Sequence, residues 1–118
     1  MKTISWNEIL ALTASGQPVL CIDVRETYRQ ATLDAGGLKI PYNQIARHPE
    51  LLLPYKDWLT VVCCLRPSGS QRTQVAFAAL QKLGFADVRE LENGLYQGWI
   101  LKVGRNVKLP VGAQRLEV

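Results

Sequence analysis

Cys64 is the residue best placed to do chemistry in this chain of 118 residues. It ends the run TVVCC (60–64), opens the loop LRPSGSQ (65–71), and is followed by Arg72 and Thr73. The nucleophilic form of cysteine is the thiolate. A free thiol, with a pKa of ~8.5, reaches that form near neutral pH only when a cation or a helix N-terminus stabilises the charge. The residue order supplies both. Arg66 and Arg72 are cations, and a planar guanidinium can grip an oxyanion through two parallel hydrogen bonds. The loop runs into an apolar helical pattern, so the first amide groups and the dipole of that helix face the loop. Successive N–H groups along a curved loop also form an anion nest. Gly69 lets the backbone curl, and Pro67 restricts it. Ser68, Ser70 and Thr73 add hydroxyl donors, with Ser70 best placed as the helix cap. The expected site is therefore a Cys64 nucleophile, with Arg66, Ser68, Gly69, Ser70, Gln71, Arg72 and Thr73 binding an anionic substrate.

A structural reading competes with this one, because cysteine is among the most buried residue types. Strand alternation sends Cys63 and Cys64 to opposite faces, so only one can enter a pocket. Cys63 is read as core, and so is Cys21 in the middle of VLCIDV (19–24). Adjacent strand positions do not easily meet disulfide geometry. Asp23 and Arg25 could tie a strand end together or touch substrate. Glu90 and Glu92, near the end of the Ala86–Leu91 strand, could face the loop, an exposed strand-end charge being the commoner case. His48, beside Pro49, reads as a surface residue. One histidine and scattered cysteines build no metal site, and nothing points to a cofactor. Trp6, Trp58 and Trp99 read as core or rim aromatics.

The elements that must hold Cys64 follow from periodicity. Ser5 and Glu8 have capping-box spacing ahead of a short helix containing Trp6, Ile9 and Leu10. VLCIDV is a continuous apolar run with one acid, the pattern of a strand buried on both faces of a parallel sheet. RETYRQATLDAGG begins a short helix that Gly36 and Gly37 break. Leu38–Pro41 is a short strand. NQIARHPELL gives one or two helical turns punctuated by Pro49 and Pro54. Trp58–Cys64 is the second strong strand. Arg72–Leu83 carries Val75, Ala76, Ala79, Leu80 and Leu83 at helical spacing, with Gly84 as the C-terminal stop. Ala86–Leu91 is a further strand, GLYQGWILKV reads as a last helix, and the tail is irregular. Strands alternating with helices predict an α/β fold on a parallel sheet. Ligands of such sheets bind outside the carboxyl ends of the strands, where Cys64 lies.

These segments, in this order, resemble rhodanese-like domains. VLCIDVRE is similar to the first core strand of that family, which ends in Asp-Val-Arg-Glu. AGGLKIP is similar to its Gly-x-x-x-Ile-Pro segment, and TVVCCL to the strand ending in its active cysteine. QVAFAALQKLGFADVRELENGLYQGW matches the helix, Gly-Phe turn, strand and Gly-Trp close, and KLPV the segment after it. The resemblance spans roughly residues 5–111. It implies one domain over 1–118, with a short extension at 104–118, and a five-stranded parallel sheet flanked by helices on both faces. It also implies sulfurtransfer: Cys64 takes a sulfane sulfur from a donor such as thiosulfate, holds it as a persulfide, and passes it to a thiol or cyanide acceptor. Seven residues separate Cys64 from Arg72, three more than the usual family loop and longer than that of related phosphatases and arsenate reductases. The His or Gly-His that usually precedes the Gly-x-x-x-Ile-Pro segment is missing. The longer loop leaves two alternatives open: an oxyanion enzyme of the phosphatase or arsenate-reductase kind, and a non-catalytic module that binds a protein partner.

Composition bounds the rest. The length suits one domain with its own core. A net charge of +4 fits an anionic substrate, while the basic residues are scattered rather than gathered into a nucleic-acid-binding stripe. No run approaches the ~18–20 apolar residues of a membrane span. The N-terminal MKTISWNEIL lacks the apolar core of a signal peptide. Three cysteines, two of them adjacent, form no disulfide framework. The expected setting is the cytoplasm, with no membrane and no nucleic-acid partner.

Overall fold

The computed structural model describes residues 1–32, 36–65 and 70–95. Five strands, β1 (Lys2–Ile4), β2 (Val19–Asp23), β3 (Leu38–Lys39), β4 (Leu59–Cys63) and β5 (Val88–Leu91), form one sheet in the order β1-β5-β4-β2-β3. Every pairing is parallel. Among the described residues four helices connect them: α1 (Trp6–Ala14), α2 (Thr27–Thr32), α3 (Pro49–Leu52) and α4 (Gln71–Lys82). Short 3-10 turns at Ile45–Arg47 and Leu53–Tyr55 flank α3.

All residues of β2 and β4 are buried, as their unbroken apolar runs require in a parallel sheet covered on both faces. One face packs Ile4, Cys21, Val61, Cys63 and Leu91 against Trp6 and Ile9 of α1. The other packs Leu20, Ile22, Val62 and Val88 against Ala76 and Leu80 of α4 and Leu52 of α3. The sheet thus separates two apolar layers, and Cys63 and Cys64 fall on opposite sides of it.

Local signals account for the helix ends. The Ser5 hydroxyl accepts from the Glu8 amide at 3.1 Å, and the Glu8 carboxylate accepts from the Ser5 amide at 3.2 Å, which completes the capping box. Ser70 caps α4 by accepting from the Thr73 amide at 3.2 Å. Gly84, with φ +92°, follows the end of α4 in a conformation that side chains with a Cβ rarely adopt.

One strand was not evident from the sequence. β1 is only three residues long and two of them are exposed, too little for alternation to register, yet it pairs with β5 and supplies the fifth strand. Of the expected last helix over 94–103 only Gly94 and Leu95 are described; the rest of it, Trp99 included, and the tail lie outside the described residues. Among the described residues no helix is long and apolar enough to cross a membrane, and none group as three metal ligands.

Candidate active site

The chain leaves β2 toward one edge of the sheet and β4 toward the other, so the crevice between these two strands is the topological switch point. Asp23 and Cys63 are partners in the register and mark its floor. Cys64 follows directly, and its backbone is fixed from both sides. The Val24 amide donates to the Cys63 carbonyl at 3.0 Å, and the Leu95 amide to the Cys64 carbonyl at 2.8 Å. The second bond depends on a tight reversal after β5, where Asn93 (φ 65°) and Gly94 (φ 68°) are both left-handed. Asparagine and glycine tolerate that region best.

At the carboxyl ends of β2 and β4 lies a small pocket of about 80 Å³, lined by Arg25, Glu26, Arg29, Cys64, Leu65 and Arg72. Cys64 is 5% exposed. Cys64 is therefore mostly enclosed: it belongs to the apolar layer of Leu20, Val62 and Ala76, and it also borders the pocket that Arg25, Arg29 and Arg72 line. Arg25 is buried and locked on Asp23: its Nε donates to Oδ1 at 2.9 Å and its Nη2 to Oδ2 at 2.7 Å. Gln30 braces this strand end by donating from Nε2 to the carbonyls of Asp23 and Arg25, both at 2.9 Å. The fork geometry resolves the sequence ambiguity over Asp23: it holds Arg25, and Arg25 faces the pocket.

Arg72 stands in the first turn of α4. Its Nε donates to Glu26 Oε1 at 2.8 Å and its Nη2 lies 2.7 Å from the same oxygen. The guanidinium also sits over the Tyr42 ring, 5.7 Å from its centroid. The hydrogen bonds from Arg72 to Glu26 and the charge of that carboxylate push the Arg72 pKa up against the opposing effect of burial, so the guanidinium stays charged. Burial works against ionisation of Glu26. The backbone hydrogen bond at Glu26, the Arg72 contacts and the charge of Arg29 outweigh it and hold the carboxyl below its usual range. On the opposite face, a hydrogen bond with Cys21, together with burial, pushes the Cys63 thiol well up. Cys63 is a neutral core thiol.

The residues expected at the site fall into three groups. Cys64 and Arg72 meet at the pocket. Ser70 and Thr73 build the start of α4: Thr73 Oγ1 bonds to the Ser70 carbonyl at 2.8 Å and to the Glu90 carboxylate, while Gln71 is the first helical residue and exposed. Arg66, Ser68 and Gly69 lie outside the described residues. Of the two readings of Glu90, the commoner one, an exposed charge, is corrected. Glu90 is 5% exposed, because β5 runs between β1 and β4 and this position faces α4, where Thr73 meets it. Glu26 and Arg29 were missed. The signal was present, since they follow the carboxyl end of a central strand just as the Cys64 loop does.

Rhodanese-related proteins share this architecture. A rhodanese-related protein from Thermoplasma volcanium superposes with a TM-score of 0.66, at 21% identity over 88% of this chain and 95% of that one. A human single-domain sulfurtransferase superposes with a TM-score of 0.67, at 23% identity over 86% and 97% of the two chains. The fold is rhodanese-like. A thiosulfate sulfurtransferase from Pseudomonas aeruginosa gives a TM-score of 0.68 at 22% identity over 84% of this chain, which spans only 18% of that larger protein. No protein-family model and no curated protein matches the sequence. In the rhodanese-like frame, the Cys64 pocket occupies the switch-point crevice, where α/β sheets of this kind bind ligands.

Proposed function

We propose that this chain is a sulfurtransferase that carries a sulfane sulfur on Cys64. One observation carries the reading: Cys64, at the carboxyl end of a central strand, shares a small pocket with Arg25, Arg29 and Arg72. Two structural neighbours, a single-domain sulfurtransferase and a thiosulfate sulfurtransferase, agree with it. In the first half-reaction the Cys64 thiolate attacks the outer sulfur of thiosulfate. A new S–S bond forms, the donor's S–S bond breaks, and sulfite leaves with the electron pair. The negative charge passes to the outer sulfur of the persulfide. In the second half-reaction a thiolate or cyanide attacks that outer sulfur and restores the Cys64 thiolate. The guanidinium groups hold the anionic donor and stabilise the charge that moves along the sulfur chain. The remaining loop residues, Arg66, Ser68 and Gly69, are assigned to the same cradle, and the reaction to a reducing, cytoplasmic setting that keeps the thiol available.

Thiocyanate production from thiosulfate and cyanide tests this directly. The wild type is expected to turn over, and Cys64→Ser to show none. Equal rates for the two proteins, or no turnover with any of several sulfane donors, would overturn the assignment.

A further inference from the structure

Glu26 puts a carboxylate into a pocket that Arg25, Arg29 and Arg72 line together with Cys64 and Leu65, and the geometry around it is unequal. A single oxygen, Oε1, takes both Arg72 contacts, at 2.8 and 2.7 Å. The other oxygen, Oε2, is buried, accepts no hydrogen bond among the described residues, and lies 3.7 Å from the Arg29 Nε. Guanidinium and carboxylate pair best as a fork on a fork, two donors on two oxygens. Glu26 meets Arg72 with two donors on one oxygen. An incoming oxyanion can offer Arg72 the two-oxygen match that Glu26 does not make. Arg29, three residues further along the same turn and α2, is near enough to keep the displaced carboxylate compensated.

We infer that Glu26 is a displaceable internal competitor for the anion site on Arg72, and so a specificity-determining residue of the pocket. It holds Arg72 in place when no substrate is bound and lowers the pocket's affinity for weakly bound anions. An oxyanion able to engage Arg72 through two oxygens displaces it. This deepens the sulfurtransfer reading and rests on it for the identity of the anion as a sulfur donor.

Two alkylating reagents of opposite character test the inference without sulfurtransfer. Iodoacetate is an anion and iodoacetamide is neutral, so the ratio of their rates at Cys64 reports anion recruitment while the thiolate fraction cancels. Adducts are located by peptide mass. Glu26→Gln keeps an oxygen for Arg72 and removes only the charge. It is expected to raise the iodoacetate-to-iodoacetamide ratio about three- to tenfold, the effect of one unit charge across a few ångströms of partly solvated space. Glu26→Ala is expected to raise it as well, and Arg72→Gln to lower it. A ratio unchanged or lowered in Glu26→Gln would overturn the inference, and a fall in Glu26→Ala would assign Glu26 to positioning Arg72 instead. The two readings separate cleanly. A raised ratio in a protein that takes up no sulfur keeps the competitor and removes the sulfurtransferase; sulfur uptake with an unaltered ratio does the reverse.

Discussion

Cysteine is an unremarkable filler of strands until its surroundings favour the anion, and two neighbours in this chain meet opposite surroundings. Cys63 packs among Cys21, Val61 and Leu91, where burial and a thiol neighbour hold it neutral. Cys64 is turned to the other face and shares a wall with Arg25, Arg29 and Arg72. Arg25 is committed to a buried aspartate, and Arg29, at 3.7 Å from Glu26, is the more exposed of the two cations that share that carboxylate, 45% against 38% for Arg72. Arg72, in the first turn of α4, should be the main contact for an anionic donor. Arg72→Gln is expected to lower kcat/KM for thiosulfate about 10- to 100-fold, the worth of a charge-assisted hydrogen bond. The rate at which a preformed persulfide reacts with cyanide should change less. A steady-state comparison with a single-turnover measurement checks both, and an unchanged kcat/KM would assign donor binding elsewhere.

At the scale of elements, the site depends on where β2, β4 and α4 end. The N-terminus of α4 is fixed by Ser70, which caps it, and by Thr73, whose hydroxyl reaches both the Ser70 carbonyl and the Glu90 carboxylate on β5. Because Arg72 lies between these two residues, the cap also fixes the backbone that carries its side chain. Ser70→Ala is expected to cost about 1 kcal/mol of stability, as loss of a hydroxyl cap commonly does. Thr73→Val should cost about 1–3 kcal/mol, because it removes a hydrogen bond at a buried carboxylate. Urea unfolding measures each; a cost near zero for Thr73→Val would show that other contacts satisfy Glu90. These contacts mark how far the sequence could be read. Ser5, Ser70 and Gly84 were legible because capping is local chemistry that spans a few residues. The buried runs of β2 and β4 were legible because a doubly covered strand has no polar face. Glu90 was not, since an acid near a strand end looks the same whether water or a helix faces it. The three residues of β1 carry no period at all, and only the pairing with β5 makes them a strand.

On the scale of the whole molecule, the sheet is a partition between two jobs. One layer, under α1, is structural and holds Cys21 and Cys63; the other, under α4, leads at its edge to the Cys64 pocket. Equivalent substitutions should therefore separate stability from activity. Cys63→Ser places a hydroxyl in an apolar layer and is expected to destabilise by about 1–3 kcal/mol while the folded protein keeps its turnover. Cys64→Ser should abolish turnover with a smaller loss of stability, because its position already borders polar groups. Glu26 and Arg29 belong to this scale too. They are distant from Cys64 in sequence and join it because β2 and β4 are neighbours in the sheet; the Cys64 loop was legible from its own residues, whereas setting Glu26 and Arg29 opposite it needed that pairing as well as their position after a central strand.

The most direct measurement is the intact mass of the native protein after exposure to thiosulfate and removal of excess donor. The account predicts a gain of one sulfur atom (about 32 Da), located on Cys64, reversed by cyanide and absent from Cys64→Ser. A wild-type mass that stays unchanged with every sulfane donor tried, or a sulfur found on Cys21 or Cys63 instead, would contradict it.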